Sequence, residues 1–155
     1  MKAIHWIIAA AAFATVQPAQ AGVNDPEVII YRASGVLDSG AGDFNGTGTA
    51  IHCTNFSGFN EQVRFVIRDD IGTIVANQPL PISHLFTRTV LTKATRLYSG
   101  TVILNTGRIK QGTLAIAATS INLTCTAMQI EAAADTPQTA VLHMTRFNPI
   151  PNTHE

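Results

Sequence analysis

The sequence has few of the features that nucleic-acid binding, membrane attachment and catalysis require. Charged residues make up 13% of the chain, and 10 Lys and Arg balance 10 Asp and Glu. With no run of one sign, the chain lacks the basic footprint of a nucleic-acid-binding protein and a polybasic membrane patch. It also lacks a G-x-S-x-G nucleophile motif and the lysine of a phosphate-binding loop. These absences predict a non-enzymatic protein with no catalytic residue, no cofactor and no nucleic-acid partner.

No hydrophobic run reaches the length of about 20 residues that spans a bilayer as a helix. The longest run lies in the N-terminal stretch MKAIHWIIAAAAFATVQPAQA, behind the single cation of Lys2. Pro18 ends the run, and the Ala-Gln-Ala sequence that finishes at Ala21 supplies the small residues that signal peptidase reads. We therefore predict a signal peptide over 1–21, export to the periplasm or the medium, no membrane span and a single mature domain over 22–155. The alternative is an N-terminal helix of the core.

The chain has only two cysteines, Cys53 and Cys125. In an exported protein, two cysteines most simply form one disulfide. The alternation around each cysteine places it with apolar neighbours on the inner face of a strand. Two such strands in facing sheets could be joined across a core about 10 Å thick. The alternative is a redox or metal-binding thiol pair, but catalytic pairs usually lie two residues apart, so we predict a structural disulfide.

Short strands dominate the expected secondary structure, because β-branched residues are frequent and helical periodicity is poor. In QVRFVIRD, alternate residues from Val63 to Ile67 share one face of a strand, and Arg64 and Arg68 lie on the other. The pattern predicts strands over 27–37, 47–55, 62–69, 73–76, 86–92, 100–104, 113–120, 123–130 and 140–147. This series predicts an all-β fold, an immunoglobulin-like β-sandwich of about seven to nine antiparallel strands with one disulfide.

Turn-forming sequences separate these strands. DDIG at 69–72 predicts a hairpin turn, and calcium binding there is the weaker alternative because few oxygen ligands lie nearby. Pro79 and Pro81 either end the following strand or mark it as an edge strand. The glycine-rich stretch SGAGDFNGTG at 39–48 predicts a loop, and residues 148–155 predict a flexible tail.

The order of these features resembles two known groups of proteins. One cysteine on an early strand and one on a late strand resemble the immunoglobulin plan, in which Phe65 would take the place of the core tryptophan. The mature chain has no Trp, however, and Leu123 stands where that plan has a tyrosine.

A second resemblance is more specific. The segments SGVLD, HCTNFSG, VRFVIRDDIGTIVAN, GTLAIAATSINLTCTA and RFNPIP resemble a family of small uncharacterised exported bacterial proteins. That resemblance covers nearly all of the mature chain. It implies export and the strand, turn and disulfide pattern, and it implies no activity or site residues.

Three histidines on or beside predicted strands, His52, His84 and His143, are the weak alternative for a metal site, since three imidazoles can bind copper or zinc. None has the close spacing of a specific metal motif. We therefore expect surface or hydrogen-bonded histidines, with His52 on the outer face because it adjoins the inward Cys53.

Arg64, Arg68 and Arg88 are the candidate interaction surface. If their strands are neighbours, they form a mixed basic and apolar surface suited to an acidic partner. The alternative is a solvated sheet face with charges that protect an edge. Our first functional hypothesis is thus a non-enzymatic binding or structural module that acts through a sheet face or edge on an envelope or extracellular protein. The others are a small periplasmic metal-binding protein and a hydrolase whose site assembles from distant loops.

Overall fold

The computed structural model describes residues 27–136 and 138–147. These residues form ten strands and, within the same ranges, no helix. The strands are β1 (Val28–Asp38), β2 (Thr47–Asn55), β3 (Glu61–Arg68), β4 (Ile74–Ile82), β5 (Thr87–Leu91), β6 (Val102–Ile103), β7 (Ile109–Ala118), β8 (Leu123–Glu131), β9 (Thr139–Leu142) and β10 (Met144–Arg146). The predicted signal peptide over 1–21 and the predicted tail over 148–155 lie outside the described residues.

The strands form two five-stranded sheets. Sheet I has the order β10-β1-β7-β3-β4, and sheet II has the order β6-β5-β2-β8-β9. All pairs are antiparallel except β5 with β6, which is parallel. The main hydrophobic core takes its buried side chains from both sheets. The predicted all-β sandwich with one disulfide is therefore confirmed.

The tenth strand arises because the predicted strand over 140–147 is divided at His143. Its first part, β9, pairs with β8 in sheet II, and its second part, β10, pairs with β1 in sheet I. The chain thus crosses from one sheet to the other within a single run of extended sequence. Alternation alone could not show this, because both halves have strand-forming residues.

Strand alternation places the core as predicted. Val63, Phe65 and Ile67 are fully buried, whereas Arg64 and Arg68 lie on the outer face of sheet I. The residues around both cysteines alternate in the same way, with the cysteines on the inner side of sheet II. Burial of each large apolar side chain stabilises the fold by about 1.5–3 kcal/mol, which makes this alternation the main source of stability.

The disulfide joins Cys53 and Cys125, but the predicted link between facing sheets is wrong. The two cysteines are directly opposite each other on β2 and β8, neighbouring strands of sheet II, with Cα atoms 4.2 Å apart. Side chains of opposed residues on neighbouring strands point to the same side and lie close together. The bond therefore fixes the pairing of two strands in one sheet, which differs from the inter-sheet disulfide of the immunoglobulin plan.

A tyrosine links the two sheets instead. Tyr31 of β1 is buried, and its hydroxyl donates a 2.9 Å hydrogen bond to the carbonyl oxygen of Leu123 at the start of β8. Leu123 is the residue at which the immunoglobulin plan predicted a tyrosine. The bond to that position is therefore made by a tyrosine of the opposite sheet. Such a hydrogen bond contributes about 1 kcal/mol to the free energy of unfolding.

Replacement of Tyr31 by phenylalanine is expected to lower the free energy of unfolding by about 1 kcal/mol, because the Leu123 carbonyl loses its partner. Urea denaturation measures the loss. The matched control is Tyr98→Phe, since the Tyr98 hydroxyl contacts only the weak acceptor Met128 Sδ, at 3.5 Å. Equal losses in the two variants would contradict a special role for the Tyr31 bond.

A polar network crosses the sandwich at the opposite end. Lys93, just after β5, and Asp38, at the end of β1, form an ion pair of 3.3 Å with 4% and 3% of their side chains exposed. Lys93 Nζ also donates to Ser39 Oγ and to the Asn45 carbonyl oxygen, so it holds both ends of the glycine-rich loop. A Cβ at Gly48 would lie 2.8 Å from Lys93 Cγ, so glycine makes room for the lysine stem.

The predicted hairpin turn after β3 is confirmed. The Asp69 carboxylate accepts hydrogen bonds from the amides of Ile71 and Thr73, at 3.1 and 2.7 Å. The backbone carbonyl oxygen of Asp69 accepts a hydrogen bond from the Gly72 amide. Gly72 has a φ of +87°, which glycine adopts without strain. The Asp69 carboxylate thus closes the turn by hydrogen bonding to the backbone.

The free edges of both sheets are short or lack donors. Three edge strands, β6, β9 and β10, have two to four residues. The fourth, β4, has nine residues but contains Pro79 and Pro81, which have no amide to donate. The prediction that these prolines mark an edge strand is confirmed, and the alternative that they end the strand is wrong.

Candidate functional site

The outer face of sheet I carries a groove of about 500 Å³. Two rows of residues in register cross it: Thr145, Arg32, Ala115 and Val66 form one row, and Ser34, Thr113 and Arg68 form the other. The central strand, β7, contributes the small side chains Ala115 and Thr113. The flanking strands carry the long ones. The groove therefore follows from small residues on β7 between long residues on β1 and β3.

The walls of the groove are basic and aromatic. Arg32 rises from β1, with its guanidinium carbon 5.6 Å from the centroid of the Phe147 ring. Arg68 rises from β3, two strands away, which is roughly 10 Å at the usual strand spacing. Arg68 donates to the Gly72 carbonyl oxygen, and neither arginine forms an ion pair within the described residues. With no Asp or Glu in its lining, the groove presents uncompensated positive charge.

A glycine fixes the position of the Arg68 wall. The Cβ of any larger residue at Gly112 would lie 2.6 Å from the Arg68 carbonyl oxygen. Glycine thus allows the end of β3 to approach β7 closely, beside the small residues that form the groove floor.

The structure does not bring the three predicted arginines together. Arg64 lies near Arg68 on the outer face, but it makes a bidentate pair with Glu27, at 2.6 and 3.1 Å, and donates to Asn77. The hydrogen bond to Glu27 raises the pKa of the Arg64 guanidinium above its ordinary value. The positive charge of Arg64 is therefore already paired with a carboxylate. Of the three arginines, Arg68 alone lines the groove.

Arg88 belongs to a different surface. It lies on β5 in sheet II, directly opposite Cys53, so its side chain leaves on the inner side of that sheet. It is half-buried, and its Nε is buried with no hydrogen-bond partner among the described residues. The condition for a shared surface with Arg64 and Arg68, neighbouring strands, is not met because β3 and β5 are in different sheets.

Comparisons with protein-family models, with curated proteins and with solved structures found no match to this chain. No relative therefore supplies a ligand or a role for the groove. Across residues 27–136 and 138–147, no helix is long and apolar enough to cross a membrane.

The three candidate metal-binding histidines lie in three separate places. His52 is on the outer face of sheet II, as predicted, where its ring meets Tyr98 edge-on at 4.7 Å and its Nδ1 lies 2.9 Å from Thr89 Oγ1. Burial lowers the pKa of His52 below its ordinary value. His84 accepts a hydrogen bond from the Gly58 amide in a loop, and His143 lines the groove of sheet I.

These positions give the metal-binding alternative no geometric support. Among the described residues, no group of three or more His, Cys, Asp or Glu side chains is placed to hold a metal ion. His52 and His84 instead each have a hydrogen-bond partner nearby in the protein. The expectation of surface or hydrogen-bonded histidines is consistent with these contacts.

Most of the groove was not identified from the sequence. Arg32 and Phe147 lay in predicted strands but were not singled out, because their approach depends on the order β10-β1-β7-β3. One signal was available: the outward positions Thr113, Ala115 and Ala117 of β7 are all small. When the outward residues of a central strand are all small, the outer face of the sheet has a depression along that strand.

Proposed function

We propose that the protein is a non-enzymatic exported binding module whose groove on sheet I binds an acidic segment of an envelope or extracellular protein. The observation that carries this proposal is the pair Arg32 and Arg68, which face one groove without a carboxylate partner among the described residues. A guanidinium forms strong, charge-assisted hydrogen bonds with carboxylates. The apolar side chains of Phe147 and Val66 add surface for the rest of the segment.

The state of the sheet edges favours binding at a face over binding at an edge. Strand addition needs a row of unpaired backbone donors and acceptors. The only long edge strand of the described sheets, β4, lacks two donors at Pro79 and Pro81. The outer face of sheet I offers side chains instead.

The contacts inside the groove support binding over hydrolysis. A hydrolytic site needs a nucleophile hydrogen-bonded to a base that a third group orients. His143 is the only candidate base in the groove lining, and the histidines with a hydrogen-bond partner in the described part of the chain are His52 and His84. The groove residues therefore act by charge and shape.

Two features support an exported location. The buried disulfide between Cys53 and Cys125 is of the kind that persists in oxidising environments. The N-terminal sequence pattern over 1–21 supplies an export signal, and the resemblance to small exported bacterial proteins agrees with both. We place the mature protein in the periplasm or the medium.

The test is titration of the isotope-labelled protein with an acidic hexapeptide of Glu and Asp, followed by NMR. We expect shifts in the amides of β1, β3 and β7 around the groove. The double variant Arg32→Gln/Arg68→Gln should bind at least about ten-fold more weakly, because each lost charge-assisted bond is worth about 1.5–3 kcal/mol.

Two matched controls make the titration decisive. The corresponding Gln and Asn hexapeptide keeps the size and backbone of the probe but removes its charge. The variant Arg96→Gln removes an exposed arginine in the segment between β5 and β6, away from the groove. Equal binding of the two peptides, or equal weakening by Arg96→Gln, would overturn the proposal.

A further inference from the structure

One end of the sandwich carries exposed apolar side chains on three adjoining loops. The loops are 56–60, between β2 and β3; 83–86, between β4 and β5; and 119–122, between β7 and β8. Their large apolar side chains, which we call the apolar tip, are Phe56, Phe59, Leu85, Phe86 and Ile121, each 42–62% exposed. Contiguous exposed apolar surface is found at protein and membrane interaction sites.

The three loops contain no charged residue. Their sequences are FSGFN, SHLF and TSIN, whereas the loops at the other end carry Asp43, Asp69, Asp70 and Asp135. An apolar environment therefore imposes no charge-burial cost on these three loops. The two ends of the sandwich differ sharply in polarity.

Internal hydrogen bonds satisfy seven backbone amides of the loops 56–60 and 83–86 and of Asn55 beside them. Five consecutive amides, from Asn55 to Phe59, donate to Phe86 O, Asn122 O, Asn55 Oδ1, His84 Nδ1 and Ser57 Oγ, in that order. The amides of Leu85 and Phe86 donate to Asn55 O and Ser83 O. A segment that reaches the hydrocarbon must satisfy these groups internally, because the acyl chains supply no hydrogen-bond partners.

Asn55 holds the loops in this arrangement. It is fully buried, and its side-chain amide donates to the carbonyl oxygens of Phe59 and Ile82. Leu85 has a φ of +62°, in the left-handed region that bulky residues rarely adopt. Backbone strain of this kind persists where the surrounding structure fixes it and is frequent at functional sites. The tip is therefore pre-organised with its apolar side chains outward.

We propose that the apolar tip inserts into the surface of a phospholipid bilayer. Aromatic and aliphatic side chains with satisfied amides suit the boundary between headgroups and acyl chains. Arg146 lies at the border of the tip, where its guanidinium donates to the Ile121 carbonyl oxygen at 2.6 Å, and it can also meet a lipid phosphate. The groove of sheet I is lined by other residues, so this surface is separate from the acidic-segment site.

Flotation with vesicles of phosphatidylethanolamine and phosphatidylglycerol tests this proposal on the purified protein. We expect the protein to float with the vesicles, at low and at high salt, because the contact is mainly apolar. The double variant Phe59→Asp/Leu85→Asp should partition at least about ten-fold less, since two apolar contacts are lost. Asp tolerates the left-handed backbone at position 85 better than most residues, so this variant keeps its fold.

Two control variants show whether flotation depends on the tip itself. Ile71→Asp changes a side chain that is 83% exposed in the hairpin turn at the other end, and it should float like the unaltered protein. Arg32→Gln/Arg68→Gln should also float unchanged, because it alters the groove alone. Circular dichroism confirms that each variant is folded.

Several outcomes would overturn the proposal. These are failure of the unaltered protein to float, unchanged flotation of the tip variant, or loss of flotation at high salt or in the groove variant. The unaltered protein fails to float if another part of the chain, a second copy or a protein partner covers the tip. Failure of vesicle binding leaves the peptide titration unaffected, so the two proposals fail separately.

Discussion

Replacement of both Cys53 and Cys125 by alanine is expected to lower the free energy of unfolding by about 4 kcal/mol. The bond closes a loop with a sequence separation of 72, and restriction of the unfolded chain accounts for a stabilisation of that size. The free energy of unfolding of a typical domain is about 5–15 kcal/mol in total. The variant should therefore be close to unfolded at elevated temperature. Urea denaturation and protease sensitivity measure the effect.

Reduction of the unaltered protein is the matched control for this variant. It opens the same loop while both sulfur atoms stay in the core, so it should reproduce most of the loss. An unchanged melting temperature, together with two titratable thiols in the native protein, would show that the bond is absent in solution. A loss on reduction alone would show that the alanines repack the strand pair.

Replacement of Lys93 by methionine is expected to lower the free energy of unfolding by about 3–5 kcal/mol. The change keeps the length of the stem but leaves the Asp38 carboxylate buried without its cation, and this is the costly half of a buried pair. It also removes the bonds from Nζ to Ser39 and to the Asn45 carbonyl oxygen. Urea denaturation gives the loss, and exchange of the amides in 39–46 should become faster.

Two variants test the physical reason for the Lys93 effect. Lys110→Met makes the same change at an exposed position on β7 and should cost no more than about 0.5 kcal/mol. The double variant Asp38→Asn/Lys93→Met leaves no buried charge, so it should be more stable than Lys93→Met alone. If Lys93→Met and Lys110→Met are equally stable, the ion pair does not hold the loop.

The strands could be predicted from sequence because a half-buried strand repeats every two residues. The faces assigned to Phe65 and Cys53 are confirmed, and most strand ends fall within two residues of those predicted. Larger errors occur where turn residues lie within strands. The strand β7 begins at Ile109, four residues before the predicted start, and β4 continues through its two prolines.

The order of strands could not be predicted, and it decides both the disulfide and the site. The same inward cysteines fit a bond between sheets or within one, and only the pairing of β2 with β8 selects the second. Arg68 was identified as an interaction residue, but Arg32, its counterpart across β7, was not. The apolar tip was missed for a similar reason, because its residues are distributed over three loops that meet only in the folded chain.

The position of β1 has a consequence for how the molecule is made. The first strand of the described chain lies between β7 and β10, so its two neighbours are a late strand and the last strand. While the chain is being synthesised from its N-terminus, β1 has neither partner, and sheet I cannot close until almost all of the polypeptide is present. Pairings between such distant segments also form slowly. Newly made chains should therefore stay open for some time, in the threadable state that the proposed export through a translocation channel requires.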